Sequence, residues 1–387
     1  MDREPPTDAH PNDAKPVDAT SPAPEPPAGA APPPADGASF ESSREAELPA
    51  ELLGKRICDF DLHIEGRPLE RAIERFRAEN AARGIVRVKP VFYLTDSWGV
   101  PEGTVAIGIP FYLADEQLLR VHRQRGGMIE GEDEDDILRY LRHEMGHVVN
   151  YAYRLYATEE WTKLFGPMSR PYLEEYKVAP FSPDFVRHLP GGYAQKHPDE
   201  DWAETFAVWS TDARDGISGW RDLYADSAGA LAKLEYCART MEQLRERDPE
   251  VVDTQLDYEA KDIHATVQEF YAGFAIGDVK VPKSLDGDLQ VLFARSKPGA
   301  ADAGSPRLGD GALLLRRQQD FLANTVYRWT GVDPSVTAPV VTHLIARATA
   351  LKLTYPLNLR DEILVELSAF LTTLAMNYAY KGKFIGD

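Results

Sequence analysis

Between Ile137 and Val149 the apolar residues Ile137, Leu138, Leu141, Met145, Val148 and Val149 recur at helical spacing, which describes a helix with one face to bury. Inside this stripe stand His143, Glu144 and His147, in the run H-E-M-G-H. Burying a polar or charged group without a partner is costly, so the rest of the chain must bring compensating groups against one turn of this helix. The spacing predicts a helix from Asp135 to about Tyr156. The acidic run Glu130–Asp136 ahead of it reads as a solvated loop, and its last residues, Asp133 to Asp136, suit the positive end of the helix dipole.

Residues i and i+4 share a helix face, so His143 and His147 can present two imidazole nitrogens to one Zn2+. Glu144, a third of a turn away, falls beside such an ion and is placed to take a proton from a water there, as a general base. Catalytic zinc keeps three protein ligands and one open position. The missing ligand is expected from H-P-D-E-D-W-A-E-T-F-A, residues 197–207. Pro198 suits a first helical position and Asp199, Glu200 and Asp201 its first turn; this helix runs to roughly Ser210. Glu204 is the only charge between Trp202 and Trp209, and metal ligation would remove the cost of burying it, so Glu204 is the preferred ligand. Glu200, one turn earlier on the same face, is the reserve, or orients a ligating histidine. Ala203 and Ala207 permit close helix approach, Trp202, Phe206 and Trp209 fill the core, and Gly146 is small enough for a crowded site. Tyr193, just upstream, could donate its hydroxyl to an oxyanion. His188 and His197 are further candidates for substrate contacts, His197 also for a helix cap.

The remaining sequence bounds the organisation. Twelve of the 29 prolines lie in the first 50 residues, and residues 1–48 read as a disordered Pro/Ala-rich tail. Arg56–Ile64 alternates apolar and polar residues like a strand, Leu69–Arg83 reads as a helix ending near Gly84, and Val86–Leu94 and Gly103–Leu113 read as strands, with Pro110 pointing to a sheet edge. Helical patterns return at about 256–274, 312–330, 337–353 and 360–380, the first separated from the rest by a Gly/Pro/Asp-rich stretch near 284–311. A net charge of -19 argues against nucleic acid and anionic membrane surfaces as partners. The two cysteines, Cys58 and Cys237, are expected as free thiols. With no secretory signal pattern and no uncharged apolar stretch of spanning length, the expected compartment is cytoplasmic.

The segments I-P-F-Y-L (109–113), L-R-H-E-M-G-H (141–147), H-L-P-G-G-Y-A-Q (188–195) and H-P-D-E-D-W-A-E-T-F-A-V-W (197–209) together resemble the bacterial zinc-binding metallopeptidases, over about residues 52–245. The resemblance implies an α+β, zincin-like domain with a small sheet and an active-site helix over residues 49–248, followed by a mainly helical region, 249–387. E-T-F-A (204–207) is similar to the E-x-F-A segment of gluzincin aminopeptidases, whose Glu is the third zinc ligand. The Tyr-then-Ala-Glu order is similar to the anthrax lethal factor catalytic domain, where a tyrosine assists catalysis. These likenesses imply Glu204 as ligand and Tyr193 as a catalytic group. One position departs: thermolysin-like enzymes carry an Asp four residues after the third ligand, and Val208 stands four after Glu204, leaving Glu200 or Asp201 to support the histidines. The function implied is zinc-dependent hydrolysis of peptide bonds. The substrate would be a peptide or protein, paired as an added strand along Ala106–Leu113 at the sheet edge. The rival is a catalytically silent zinc-binding fold that docks peptides or partners; Glu144, which a structural site does not need, counts against it.

Overall fold

The computed structural model describes residues 48–384 apart from 126–127, 174–175, 177, 180, 212–218, 273–280, 282–284 and 295–306; the N-terminal tail read from the sequence lies outside the described residues, Leu48 excepted. Helix α1 (Pro68–Ala82) buries Leu69, Ile73 and Phe76 on one stripe and stops short of Gly84, whose φ of 80° is a conformation few other residues take. Strands β1 (Val91–Thr95) and β2 (Ala106–Pro110) pair in parallel, Val91 with Ala106 through Thr95 with Pro110.

Two strand expectations are corrected here. Arg56–Ile64 is not a strand: Ile57–Asp59 forms a 3-10 turn, and the amides of Ile57 and Cys58 donate to the carbonyls of Ala265 and Ile263. The alternation serves packing instead, since Phe60, Leu62 and Ile64 rest against the core. The edge expected at 106–113 is not open either. All five residues of β2 are buried, and the Gly108 amide donates to Gly99 O at 2.8 Å on the side away from β1. The chain continues as a 3-10 turn, Phe111–Ala114, into helix α2 (Glu116–Arg125).

Helix α3 (Glu134–Ala152) begins at Asp133, whose carboxylate accepts from the Asp136 amide. It ends at Ala152, earlier than expected, because Arg154 turns left-handed at φ 49°. Helices α4 (Pro198–Ser210) and α5 (Ala228–Leu244) complete this part. A Cβ on Gly146 would lie 2.6 Å from Ala203 Cα, so α3 and α4 meet backbone to backbone, and the Trp202 indole N–H donates to Gly146 O at 2.8 Å. Met145, Leu141, Trp202, Phe206, Ile107 and Ile109 lie in one hydrophobic core, joined from beyond residue 250 by Ile263, Val267 and Tyr271.

Farther along, among the described residues of the stretch expected at 256–274 the helical ones are Ala260–Asp262 and Val267–Ala272, and α6 (Asp286–Ala294) arises within the stretch read as a separator. A two-stranded ribbon of β3 (Leu308–Asp310) and β4 (Thr354–Pro356) is antiparallel. Helices α7 (Gly311–Arg317), α8 (Gln319–Thr330), α9 (Pro334–Ala350) and α10 (Arg360–Lys381) follow the expected patterns. Their Leu315, Val326, Leu344, Leu367 and Leu371 form a second core. Among the described residues one helical stretch, Leu357–Lys381, is long and apolar enough to cross a bilayer by length and composition; its Ile363, Leu367 and Leu371 are buried in that second core. Helix α8 also reaches the first part: its Tyr327 ring fills the space over Gly191, where a Cβ would sit 2.7 Å from Cζ.

Candidate metal centre

One turn of α3 and the first two turns of α4 supply the centre. His197 caps α4, its Nδ1 accepting from the Asp199 amide and its Nε2 donating to Arg170 O, so it serves as the cap the sequence allowed for. Pro198 follows at the first helical position, and Asp199, Glu200 and Asp201 occupy the first turn, where the helix dipole favours their charged forms. His143, Glu144, His147, Asp199, Glu200 and Glu204 are all buried.

The carboxylates divide between the two faces of the imidazoles. Glu204 Oε1 lies 3.0 Å from His143 Nδ1, and Asp199 Oδ2 lies 2.9 Å from His147 Nδ1. Glu200 Oε2 lies on the other side, 3.0 Å from His143 Nε2 and 3.3 Å from His147 Nε2; the two Nε2 atoms are 3.2 Å apart. The structure therefore brings Glu200 to the converging nitrogens and puts Glu204, the residue preferred from the sequence, behind His143. The buried charge of Glu204 is satisfied without an ion: the amides of His188 and Leu189 donate to its Oε2 at 2.9 and 3.0 Å. Asp199 is likewise held, by the Asn150 amide and the Tyr151 hydroxyl, each at 2.6 Å.

This arrangement fits a cation. With both Nδ1 nitrogens donating to carboxylates, the imidazole tautomers leave two Nε2 lone pairs and a carboxylate oxygen facing one another. Three acceptors so placed repel unless a proton or a metal ion lies among them. A tetrahedral ion with bonds of about 2.0–2.1 Å sets its ligand atoms roughly 3.3–3.4 Å apart, and the triangle of 3.0, 3.2 and 3.3 Å nearly has that size. Two imidazoles and a carboxylate are a zinc donor set, and His143, His147 and Glu200 are the described residues whose ligand atoms cluster closely enough for a shared ion. Without an ion, protons take its place. Burial would lower His143, but its bonds to Glu200 and Glu204 outweigh this and push it up to about 9. His147 also rises well above its usual range against burial, through Asp199 and Glu200. Burial would raise Glu200, yet the two imidazoles hold it well below the usual carboxylate range.

Glu144 stands apart from these contacts. Burial pushes its carboxyl up, and its Oε2 is buried with no hydrogen-bond partner among the described residues. Tyr193 reaches the centre: its ring edge meets His143 with centroids 5.5 Å apart, and its hydroxyl is 3.3 Å from that of Tyr172. Tyr172, which sequence reasoning missed, donates to Glu200 Oε1 at 2.7 Å; it comes from a Pro-rich loop with no periodicity to signal it. His188 does not face the converging nitrogens. Its Nε2 donates to Arg139 O, and burial pushes its pKa down to about 4.

Residues 98–220, a little under a third of the chain, match the model of a family described as “Putative zinc-binding metallo-peptidase”. The match spans α3, Tyr193 and α4. No curated protein and no solved structure matches the chain.

Proposed function

From that family match as premise, we propose that the chain hydrolyses peptide bonds in peptide or protein substrates, with a zinc ion held by His143, His147 and Glu200. Glu200 takes the ligand position in place of Glu204, because its Oε2 meets both Nε2 atoms. This choice also removes the departure noted above: the residue four after Glu200 is Glu204, a carboxylate bonded to His143 Nδ1. The zinc, when bound, supplies Lewis acidity, polarising a carbonyl and bringing the pKa of water to about 7.

The protein's own groups do the rest. Asp199 and Glu204 fix the two imidazoles with Nε2 toward the ion. Tyr172 occupies Glu200 Oε1 and so leaves Oε2 to face the rings. Glu144 Oε2, lacking a protein donor, accepts the proton of the attacking water and returns it to the leaving amine nitrogen; burial strengthens it as a base. Tyr193 donates its hydroxyl to the carbonyl oxygen as charge develops there. The observation that carries this reading is the unpartnered, buried Glu144 carboxylate oxygen one residue from a ligating histidine, which a purely structural metal site has no use for.

Zinc analysis and cleavage profiling of a proteome-derived peptide pool test it. Wild type is expected to bind one zinc ion and cleave; Glu144→Gln keeps zinc and does not cleave; Glu200→Gln loses zinc. Glu204→Gln keeps it with affinity lowered about 10–100-fold, as for other supporting groups. Wild-type cleavage by Glu144→Gln would overturn the catalytic assignment, and zinc retained by Glu200→Gln but lost by Glu204→Gln would overturn the ligand set.

A further inference from the structure

A cavity of about 200 Å³ lies where the loop 187–192 meets the end of α8, lined by Arg139, Arg187, Arg328, Trp329, and the backbone of Gly191 and Gly192. Three arginines, Arg139, Arg187 and Arg328, contribute to this one lining in a chain of net charge -19. Asp136 neutralises Arg139 at 2.7 Å. Arg187 has its guanidinium over the Phe181 ring, 5.7 Å from the centroid. Among the described residues neither Arg187 nor Arg328 has a carboxylate at ion-pair distance. Like charges around a small hollow repel, and an anion placed among them turns that repulsion into charge-assisted hydrogen bonding. The other walls are apolar: Leu189, Pro190 and the Trp329 indole, which is 55% exposed. Arginines without a carboxylate partner and an exposed indole in one lining suit a ligand with an acidic head and a small apolar body.

The cavity is distinct from the place where the Nε2 atoms converge. His188 and Leu189 line it, and their amides point the other way, into Glu204, which itself lies behind His143. We propose that this cavity binds a small organic carboxylate, its carboxylate held by Arg187 and Arg328 and its apolar body against Trp329. The carboxylate could belong to a free small acid or to the end of a peptide; both present the same chemistry. The assignment stands without the hydrolase reading.

Calorimetric titration of the full chain with N-acetylleucine and with its uncharged amide tests it, with and without zinc. A peptide ending in leucine serves as a further arm to distinguish a chain end from a free acid. The acid is expected to bind saturably, with or without zinc, and the amide not. Arg187→Ala and Arg328→Ala should each weaken binding about tenfold or more, in line with losing a charged contact. Both side chains are exposed, so the fold should persist; Arg328→Glu, expected to abolish binding, provides a second variant. His147→Ala should bind as wild type does. Acid and amide binding alike, binding indifferent to both arginines, binding lost in His147→Ala, or no saturable binding by about 10 mM would each overturn the proposal.

Discussion

Replacing Gly146 with alanine isolates the helix contact on which the centre depends. By intrinsic preference the change should help, since alanine is favoured over glycine in a helix by about 1 kcal/mol. The structure reverses this. The new methyl would lie 2.6 Å from Ala203 Cα and 3.1 Å from Ala203 O, both main-chain atoms, which cannot rotate aside. Relief to an ordinary contact of about 3.4 Å requires α4 to move away by roughly 0.8 Å, and overpacking of this kind costs about 1–3 kcal/mol. Set against the helix gain, the expected outcome is a net loss of up to about 2 kcal/mol in urea unfolding without metal. The second effect is larger. A displacement of about 0.8 Å in the helix carrying Glu200 far exceeds the ~0.2 Å tolerance of metal–ligand distances. Zinc affinity, measured by competition with a chromophoric chelator, should therefore fall by at least about 10–100-fold, the range seen when ligand support is lost. A Gly146→Ala protein that is as stable as wild type and binds zinc equally would refute the backbone contact between α3 and α4 and the reasoning built on it.

Tyr193→Phe should lower kcat by about 10²–10³-fold, as for other oxyanion donors, with zinc content and substrate KM little changed; unchanged kcat would remove Tyr193 from the reaction. In the metal-free protein, His143 is raised from its usual 6.5 to about 9, so the stability it contributes is complete below pH 6.5 and is lost as pH rises through 9. Asp201 and Glu130, pushed up to about 7 by burial, act in the same direction above the usual carboxylate range. Urea midpoints in chelator should accordingly decline from pH 6 to pH 9, and a rising midpoint would contradict this. Lys233, 5% exposed, donates to Asp201 at 2.6 Å and to Asp184 O. At pH 9, above the titration of Asp201, Lys233→Met should cost up to about 3–5 kcal/mol by leaving the buried Asp201 carboxylate without its partner, and adding Asp201→Leu should recover much of the loss. Equal destabilisation by the single and double variants would show that packing, not the unpaired charge, is responsible.

The helices that carry the centre are legible because their signals are local: apolar spacing in 137–149, acids at 133–136 suited to a helix start, and Pro198 with three acids in one turn. The choice between Glu200 and Glu204 is not local. Both lie on one face of α4, and which one meets the Nε2 atoms depends on how far α4 slides along α3. The preference for Glu204 as ligand rested on the cost of burying its charge among apolar residues, a cost that the amides of His188 and Leu189, from a distant loop, also offset. The strand expected at 56–64 failed for a related reason. Its alternation is real, but the amides that would build a sheet find the carbonyls of Ile263 and Ala265, some two hundred residues away. Tyr172 and Asp199 gain their roles only from contacts across the fold, to Glu200 and His147.

The crossing at Gly146 and Ala203 also bears on which ions the protein can accept. With the two main chains already touching there, the helices cannot draw closer, and the buried indole bond from Trp202 to Gly146 O resists their parting. The span between the histidine pair and Glu200 is therefore gauged by main-chain thickness. A calcium ion, which needs six to eight oxygen ligands at about 2.3–2.6 Å, would find this aperture too narrow and too rich in nitrogen. If the centre holds zinc as proposed, size selection would rest on a residue without a side chain, one that makes no bond to the ion.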